Sequence, residues 1–291
     1  MAGVQHARLI EGCLNISCSM ITNADQDLLQ KKGISEAKFN EQLACFVKGF
    51  PYLKLAAAAS VEHGILSPNA DEEAAYLAAW QNYKADTNHR VVKFVPASGA
   101  ASRMFKDMFA FVDAPYNEPT TDFEKQFFAR IHDAAFFADL EAACQRLYAA
   151  DIDTLIQSGR YKEVVKAMLQ ADGLNYGALP KGLLKFHRYA ETARTPLEEH
   201  LVEGALYACQ QDGQVNVHFT VSPEHRQLFE ALVQQVVPAY EQHFGVKYHI
   251  SFSEQKASTD TVAANPDNTP FRKADGSLLF RPGGHGALIE N

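Results

Sequence analysis

The run Lys93-Phe94-Val95-Pro96-Ala97-Ser98-Gly99-Ala100-Ala101-Ser102-Arg103-Met104-Phe105-Lys106 sets a chain of small residues in front of an arginine. Small side chains let backbone amides approach phosphate oxygens, and a helix start behind them adds partial positive charge. Arg103 offers a planar, multidentate donor set for an anion, and Ser102 supplies a short hydroxyl. The run is not a Walker loop, because it lacks the Gly-Lys-Ser/Thr ending. A plain tight turn is the competing reading of the same residues.

Two later segments carry related chemistry. Leu179-Pro180-Lys181-Gly182-Leu183-Leu184-Lys185-Phe186-His187-Arg188 gathers Lys181, Lys185, His187 and Arg188 into a local patch that attracts phosphate or is simply a solvated basic surface. Arg281-Pro282-Gly283-Gly284-His285-Gly286-Ala287 follows the apolar pair Leu278-Leu279 and reads as a loop at a strand end. Its glycines permit close backbone approach to a planar or anionic ligand, and His285 could donate to it; an incidental turn histidine is the bland alternative.

These segments need elements to hold them. Val91, Val92, Phe94 and Val95 read as a buried strand leading into the first loop, with a helix behind it through Met104, Phe105, Met108 and Phe111. Upstream, the pattern from Asn23 to His89 is helical. Asn23 with Gln26 is expected to cap one helix and Ser35 a second; Asn69 with Glu72 opens a third, whose Tyr76, Trp80 and Tyr83 form a stripe expected in the core. Thr121 and Glu124 have capping-box spacing inside a helical stretch that runs to Ala178. Thr195, Pro196 and Glu198 open a helix towards Gln210. The strand Val215 to Val221 follows, then a helix from Ser222-Pro223 to Phe244. Val246 to Phe252 and Ser277 to Arg281 are the remaining predicted strands. Strands alternating with helices give the fold class α/β, with a largely parallel, covered sheet.

Composition limits the rest. The chain has 291 residues, of which 47% are hydrophobic and 21% charged, a globular profile. A formal charge of -8 argues against a general nucleic-acid binder, which needs a basic face to displace counterions. Cys13, Cys18, Cys45, Cys144 and Cys209 are scattered, and Cys13 with Cys18 has no second pair to complete a zinc site, so free thiols in a reducing compartment are expected. No apolar run approaches the ~20 residues of a membrane span, and Met1 to Ser19 lack the apolar stretch of a secretory signal. The expectation is a cytoplasmic protein with no membrane and no nucleic-acid partner; its oligomeric state is left open. Residues 1–22 are expected to be a poorly ordered extension, with Met20 standing just before the first helix.

A resemblance sharpens this reading. Gly99-Ala100-Ala101-Ser102-Arg103-Met104 resembles the nucleoside-triphosphate loop of sugar nucleotidyltransferases, and Pro180-Lys181 with Leu183 resembles their substrate-phosphate lysine segment. The helix with Leu197-Glu198-Glu199-His200 is similar to the one that follows it there. Phe252-Ser253-Glu254-Gln255 and Pro282-Gly283-Gly284-His285-Gly286 are similar to segments of UDP-sugar pyrophosphorylases, and the order of all five agrees over about residues 90–291. From Met20 onward the chain also resembles an uncharacterised bacterial family of DUF type assigned to the nucleotide-diphospho-sugar transferase superfamily.

The resemblance implies a Rossmann-like, mostly parallel sheet of nucleotide-diphospho-sugar transferase type. A helical N-terminal region would span 23–89, and an α/β domain 90–291 with a helical insertion at 113–178. It implies transfer of a nucleotidyl group from a nucleoside triphosphate to a sugar 1-phosphate, releasing pyrophosphate, with Mg²⁺. Arg103 and Lys181 would be the catalytic cations. Ala97, Ser98, Gly99, Ala100, Ala101 and Ser102 would hold the triphosphate; Gln255, Gly283, Gly284, His285 and Gly286 would meet the nucleoside; Lys106 and Lys185 would face the substrate phosphate. Three departures stand out. Ala101 replaces the usual glycine, the insertion separates Arg103 from Lys181, and the chain ends at Asn291, before the strand in which the pattern expects a metal-binding aspartate. The sheet is therefore expected to be cut short at that side, with the metal ligands unknown. A catalytically silent nucleotide or nucleotide-sugar binding module is the alternative from another class. A kinase-like phosphotransferase is disfavoured by the missing Walker lysine.

Overall fold

A computed structural model describes residues 21–86, 88–283 and 288 of the chain. It divides into two compact units, one built from residues 1–69 and 255–291 and the other from 70–254. Most of the expected extension at 1–22 lies outside the described residues.

In the first unit, helix α1 (Asn23–Lys32) is opened by Thr22, whose hydroxyl accepts from the Asp25 backbone while the Asp25 carboxylate accepts from the Thr22 backbone. The cap therefore sits one residue earlier than the Asn23–Gln26 pair suggested. Asp25 is also gripped by Arg272, which donates to both carboxylate oxygens at 2.9 and 2.7 Å. Helix α2 (Glu36–Lys48) starts at its expected cap, Ser35. Leu29, Ile34 and Phe39 bury themselves with Val262 and Leu278. The predicted strand Ser277–Arg281 therefore does not extend the parallel sheet. Its buried Leu278 belongs to this small core, and Phe280–Arg281 pairs antiparallel with Thr261–Val262.

The second unit opens with α3 (Ala70–Ala85), which buries none of its residues. Tyr76 and Tyr83 are 58% and 44% exposed, so the aromatic stripe is not core. Trp80 instead stacks on Tyr83 and donates to the Tyr207 carbonyl. Periodicity states which residues share a side of a helix, not what covers that side.

Strand β1 (Val92–Pro96) runs into a 3₁₀ turn at Ser102–Phe105 and then α4 (Lys106–Asp113). A helical block follows: α5 (Asp122–Ala129), α6 (Phe137–Tyr148), α7 (Ile152–Gln157) and α8 (Tyr161–Leu169). The capping box Thr121–Glu124 starts α5 as the sequence predicts. Phe111, Ile131, Leu140, Leu155, Val164 and Met168 pack into a core of its own. After α8 the chain folds back on itself, with the amides of Leu174, Tyr176 and Gly177 donating to the carbonyls of Ala167, Met168 and Leu169. A Cβ at Gly173 would lie 1.8 Å from the Ala167 carbonyl oxygen, so this return is open only to glycine.

A short hairpin of β2 (His187–Arg188) and β3 (Ala193–Arg194) leads to α9 (Pro196–Tyr207), β4 (Gln214–Val221), α10 (Arg226–Phe244) and β5 (Lys247–Glu254). The sheet is three-stranded and parallel in the order β1-β4-β5, with Phe94 beside His218 and His218 beside Ser251. Alternation sends Val95, Val215, Val217, Phe219, Val221 and Tyr248 to one face, where Leu197 and Leu201 of α9 and Phe229 of α10 cover them. The opposite face is largely open: Val92 and Phe94 are each 45% exposed. The expectation of a covered sheet is thus corrected: helices cover one face only. The β1 run reads as doubly buried only because its open face happens to carry Val92 and Phe94.

Candidate functional site

The carboxyl edge of a parallel sheet is where such folds gather ligands, because strand ends and following turns converge there. Here β1, β4 and β5 end on Pro96, Val221 and Glu254. The Ala97 amide donates to the Thr220 carbonyl at 2.8 Å, carrying the β1–β4 pairing one residue into the loop. The loop then meets the basic segment directly. The Lys181 amide donates to the Gly99 carbonyl at 2.9 Å, the Ala101 amide to the Leu179 carbonyl at 3.4 Å, and Ala100 and Pro180 form an antiparallel bridge. Two stretches far apart in sequence are therefore stitched side by side.

Packing explains why. Ala101 is fully buried, so its methyl group faces the protein. A Cβ at Gly182 would come within 2.9 Å of the Phe229 ring, so glycine lets the Lys181–Leu183 turn settle on α10. Leu183 packs against the sheet core, while Leu184 is fully buried in the helical core. A Cβ at Gly99, by contrast, would meet nothing within 4 Å and needs no unusual backbone angle. Nothing in the chain itself demands glycine there; what it leaves is space for an outside group to approach.

The expected site residues fall into five groups. Ser98, Gly99 and Ala100 keep amides without an acceptor among the described residues, whereas those of Ala97 and Ala101 are used within the fold. Ser102 opens the 3₁₀ turn, so the first turn behind the loop is not the α-helical one expected. Arg103 and Lys181 are exposed, and among the described residues neither side chain has a hydrogen-bond or ion-pair partner. Lys106 is exposed at the first residue of α4, while Lys185 is already paired with Asp139 at 2.7 Å. Gln255 follows β5 and Gly283 follows Phe280–Arg281, both in the first unit; Gly284, His285 and Gly286 lie outside the described residues.

The same edge holds groups that sequence reasoning missed. Ser222 Oγ lies 2.7 Å from His225 Nδ1, and His225 Nε2 lies 3.2 Å from the Ala178 carbonyl. A carbonyl only accepts, so Nε2 carries the hydrogen, and in the uncharged ring Nδ1 accepts from the Ser222 hydroxyl. Arg226 bridges Glu230 at 2.8 Å and Glu254 at 3.1 Å, and these bonds raise its pKa. On the open sheet face, His218 holds Ser251 and Ser253 at 2.8 Å each and stacks on Phe94; burial pushes its pKa down. Strand alternation could have put His218, Ser251 and Ser253 on one face. Ser222-Pro223 suggested only a helix start.

The carboxylate at the end of β5 is already engaged. Glu254 is committed to Arg226, and among the described residues no three His, Cys, Asp or Glu side chains gather as a metal would require. Cys45, Cys144 and Cys209 are free thiols, with Cys144 buried and its pKa pushed up to about 11 by that burial, which makes it a poor nucleophile. Among the described residues no helix is long and apolar enough to cross a membrane.

A parallel sheet with helices on one face and unpaired cations at its carboxyl edge makes this a mixed α/β protein. Residues 22–291 match the family described as Domain of unknown function (DUF4301), and the chain belongs to that family. No curated protein and no solved structure matches it.

Proposed function

We propose that the protein is a sugar-phosphate nucleotidyltransferase of the nucleotide-diphospho-sugar transferase superfamily, joining a nucleoside triphosphate to a sugar 1-phosphate. The observation that carries this reading is the junction of Lys181 with Gly99. It puts two unpaired cations and three unused amides on one rim of the second unit. The triphosphate would lie along Ser98–Ala100 with Arg103 on its outer oxygens, and Lys181 would draw in the sugar phosphate. An oxygen of the sugar phosphate attacks the α-phosphorus, the bond from that phosphorus to the β-bridging oxygen breaks, and pyrophosphate leaves with the electron pair. The attacking oxygen is already anionic, so no general base is needed. The work is to bring anions together and to stabilise the leaving charge. Mg²⁺ belongs to this reading only as the counter-ion that triphosphate carries in solution; no residue is assigned to it.

The test supplies each of the four nucleoside triphosphates with a panel of sugar 1-phosphates and Mg²⁺, and measures pyrophosphate. Release that depends on one sugar phosphate is the expected result. Triphosphate binding with no release under any pairing would overturn the transfer reaction and leave a binding module.

A further inference from the structure

Beside the phosphate-loop candidate lies a cavity of about 370 Å³ to which the proposed reaction assigns no role. Its lining includes Met104, Met108, Phe123, Gln126, Phe127 and Arg130. Met104 follows Arg103 directly, so the last cation of the anion rim and the first wall of the cavity are consecutive residues, about 3.8 Å apart along the chain. The other wall is one face of α5 continued through its C-cap, Arg130, into the turn that follows. Phe123, Gln126, Phe127 and Arg130 recur at helical spacing, while Phe128 turns the other way into the core and meets Phe127 edge to face at 5.1 Å. The Thr121–Glu124 capping box fixes where that face begins.

The floor of the cavity, with Met108 and Ile131, belongs to the helical core, but its rim does not. Met104 and Phe123 are 45% and 46% exposed, although both are large and apolar. The cavity is not purely apolar either. Gln126 contributes an amide with a donor and an acceptor, and Arg130 with Asp133, paired at 3.2 Å, adds a donor fork and a carboxylate. An alkyl chain would satisfy the methionines and phenylalanines and leave those polar groups idle. A flat heterocycle with donors and acceptors on its rim would use both. The volume lies within the roughly 300–1,000 Å³ common for small-molecule sites.

We infer that this cavity takes the base of the nucleotide whose phosphates lie on the Ser98–Ala100 loop and Arg103. The base stacks among Met104, Phe123 and Phe127, and its edge is read by the Gln126 amide. The inference rests on the nucleotide reading above and adds to it where base selection occurs, in the helical block.

Calorimetric titration of the full chain with inorganic tripolyphosphate and with each nucleoside triphosphate separates the two ideas. Phe123→Ala and Met104→Ala remove half-exposed side chains, so folding should survive. Each should weaken the preferred nucleoside triphosphate about 10- to 100-fold, as loss of a stacking partner does, and leave tripolyphosphate within twofold. Gln126→Ala should narrow the preference among the four bases. Unchanged nucleotide affinity in the first two variants would overturn the base site while tripolyphosphate binding kept the anion site standing. Failure of tripolyphosphate to bind the unaltered protein would remove the anion site, and the base site with it.

Discussion

The two ends of one three-stranded sheet use their cations in opposite ways. At the amino end, Arg90 donates through Nε and Nη2 to the Asn216 side-chain oxygen at 3.1 and 2.9 Å. The Asn216 amide donates in turn to the Val91 carbonyl and to Gln210, whose own amide reaches the His89 carbonyl at 2.9 Å. Asn216 is buried, and every group in that circuit has a partner. At the carboxyl end, Arg103 and Lys181 stand with no partner among the described residues, above amides that also have none. A cation closed into a circuit holds strands together. A cation left open beside unused amides offers its energy to something that arrives from outside.

Mutations can break or sharpen that contrast. The largest effect should come from the closed end. Asn216→Ala takes the shared partner from the buried Val91 carbonyl, the half-buried Gln210 and Arg90 at once and should lower stability by about 3 kcal/mol. Denaturant unfolding followed by Trp80, the sole tryptophan, would record it, with triphosphate affinity of the folded fraction unchanged. Arg103→Ala should do the reverse. Loss of charge-assisted bonds should weaken triphosphate binding by about 2 kcal/mol, or roughly 30-fold, with the unfolding midpoint held. A shifted midpoint with intact affinity would show that Arg103 is structural and erase the contrast.

The Asp25–Arg272 pair of the first unit extends the comparison to pH. Arg272 and the Thr22 cap hold the Asp25 carboxyl at a pKa of about 2, against an ordinary value of 3.8. A depressed carboxylate stabilises the fold fully above its unfolded pKa and loses that contribution as pH falls towards the folded one. The unaltered protein should exceed Asp25→Asn by about 2 kcal/mol at pH 6, and by well under 1 kcal/mol near pH 2. A gap that does not narrow in acid would show that the pair does not act through its charge. The smallest effect is expected at Lys185, which Asp139 already occupies in a half-exposed pair. Lys185→Met should change both stability and triphosphate affinity by less than about 1 kcal/mol.

What the sequence disclosed follows from the range of the interactions involved. Caps at Ser35, Thr121–Glu124 and Thr195–Glu198 are local, and they were legible because each pair lies within one turn. The α1 cap lies one residue earlier than expected, on the equally local pair Thr22–Asp25, whose carboxylate Arg272 also holds. The aromatic face of α3 and the open face of β1 were misjudged for a common reason: periodicity states which residues share a side, and burial depends on what else folds over it. Ser277–Arg281 has strand composition, yet Leu278 is buried with Leu29 and Phe39 rather than beside β5. At the site, the small-residue loop and the Pro180–Lys181 segment announced themselves by composition. The bonds between them, and the Ser222–His225 pair, are properties of the folded chain.

Leu183 and Leu184 give Lys181 a mechanical setting. Neighbours in sequence, they are rooted in different packed layers, one against the sheet and one among the helices. Any shear between those layers would be felt within a single peptide bond and passed to the turn that carries the lysine. The backbone that carries Lys181 is thus anchored from both layers at once.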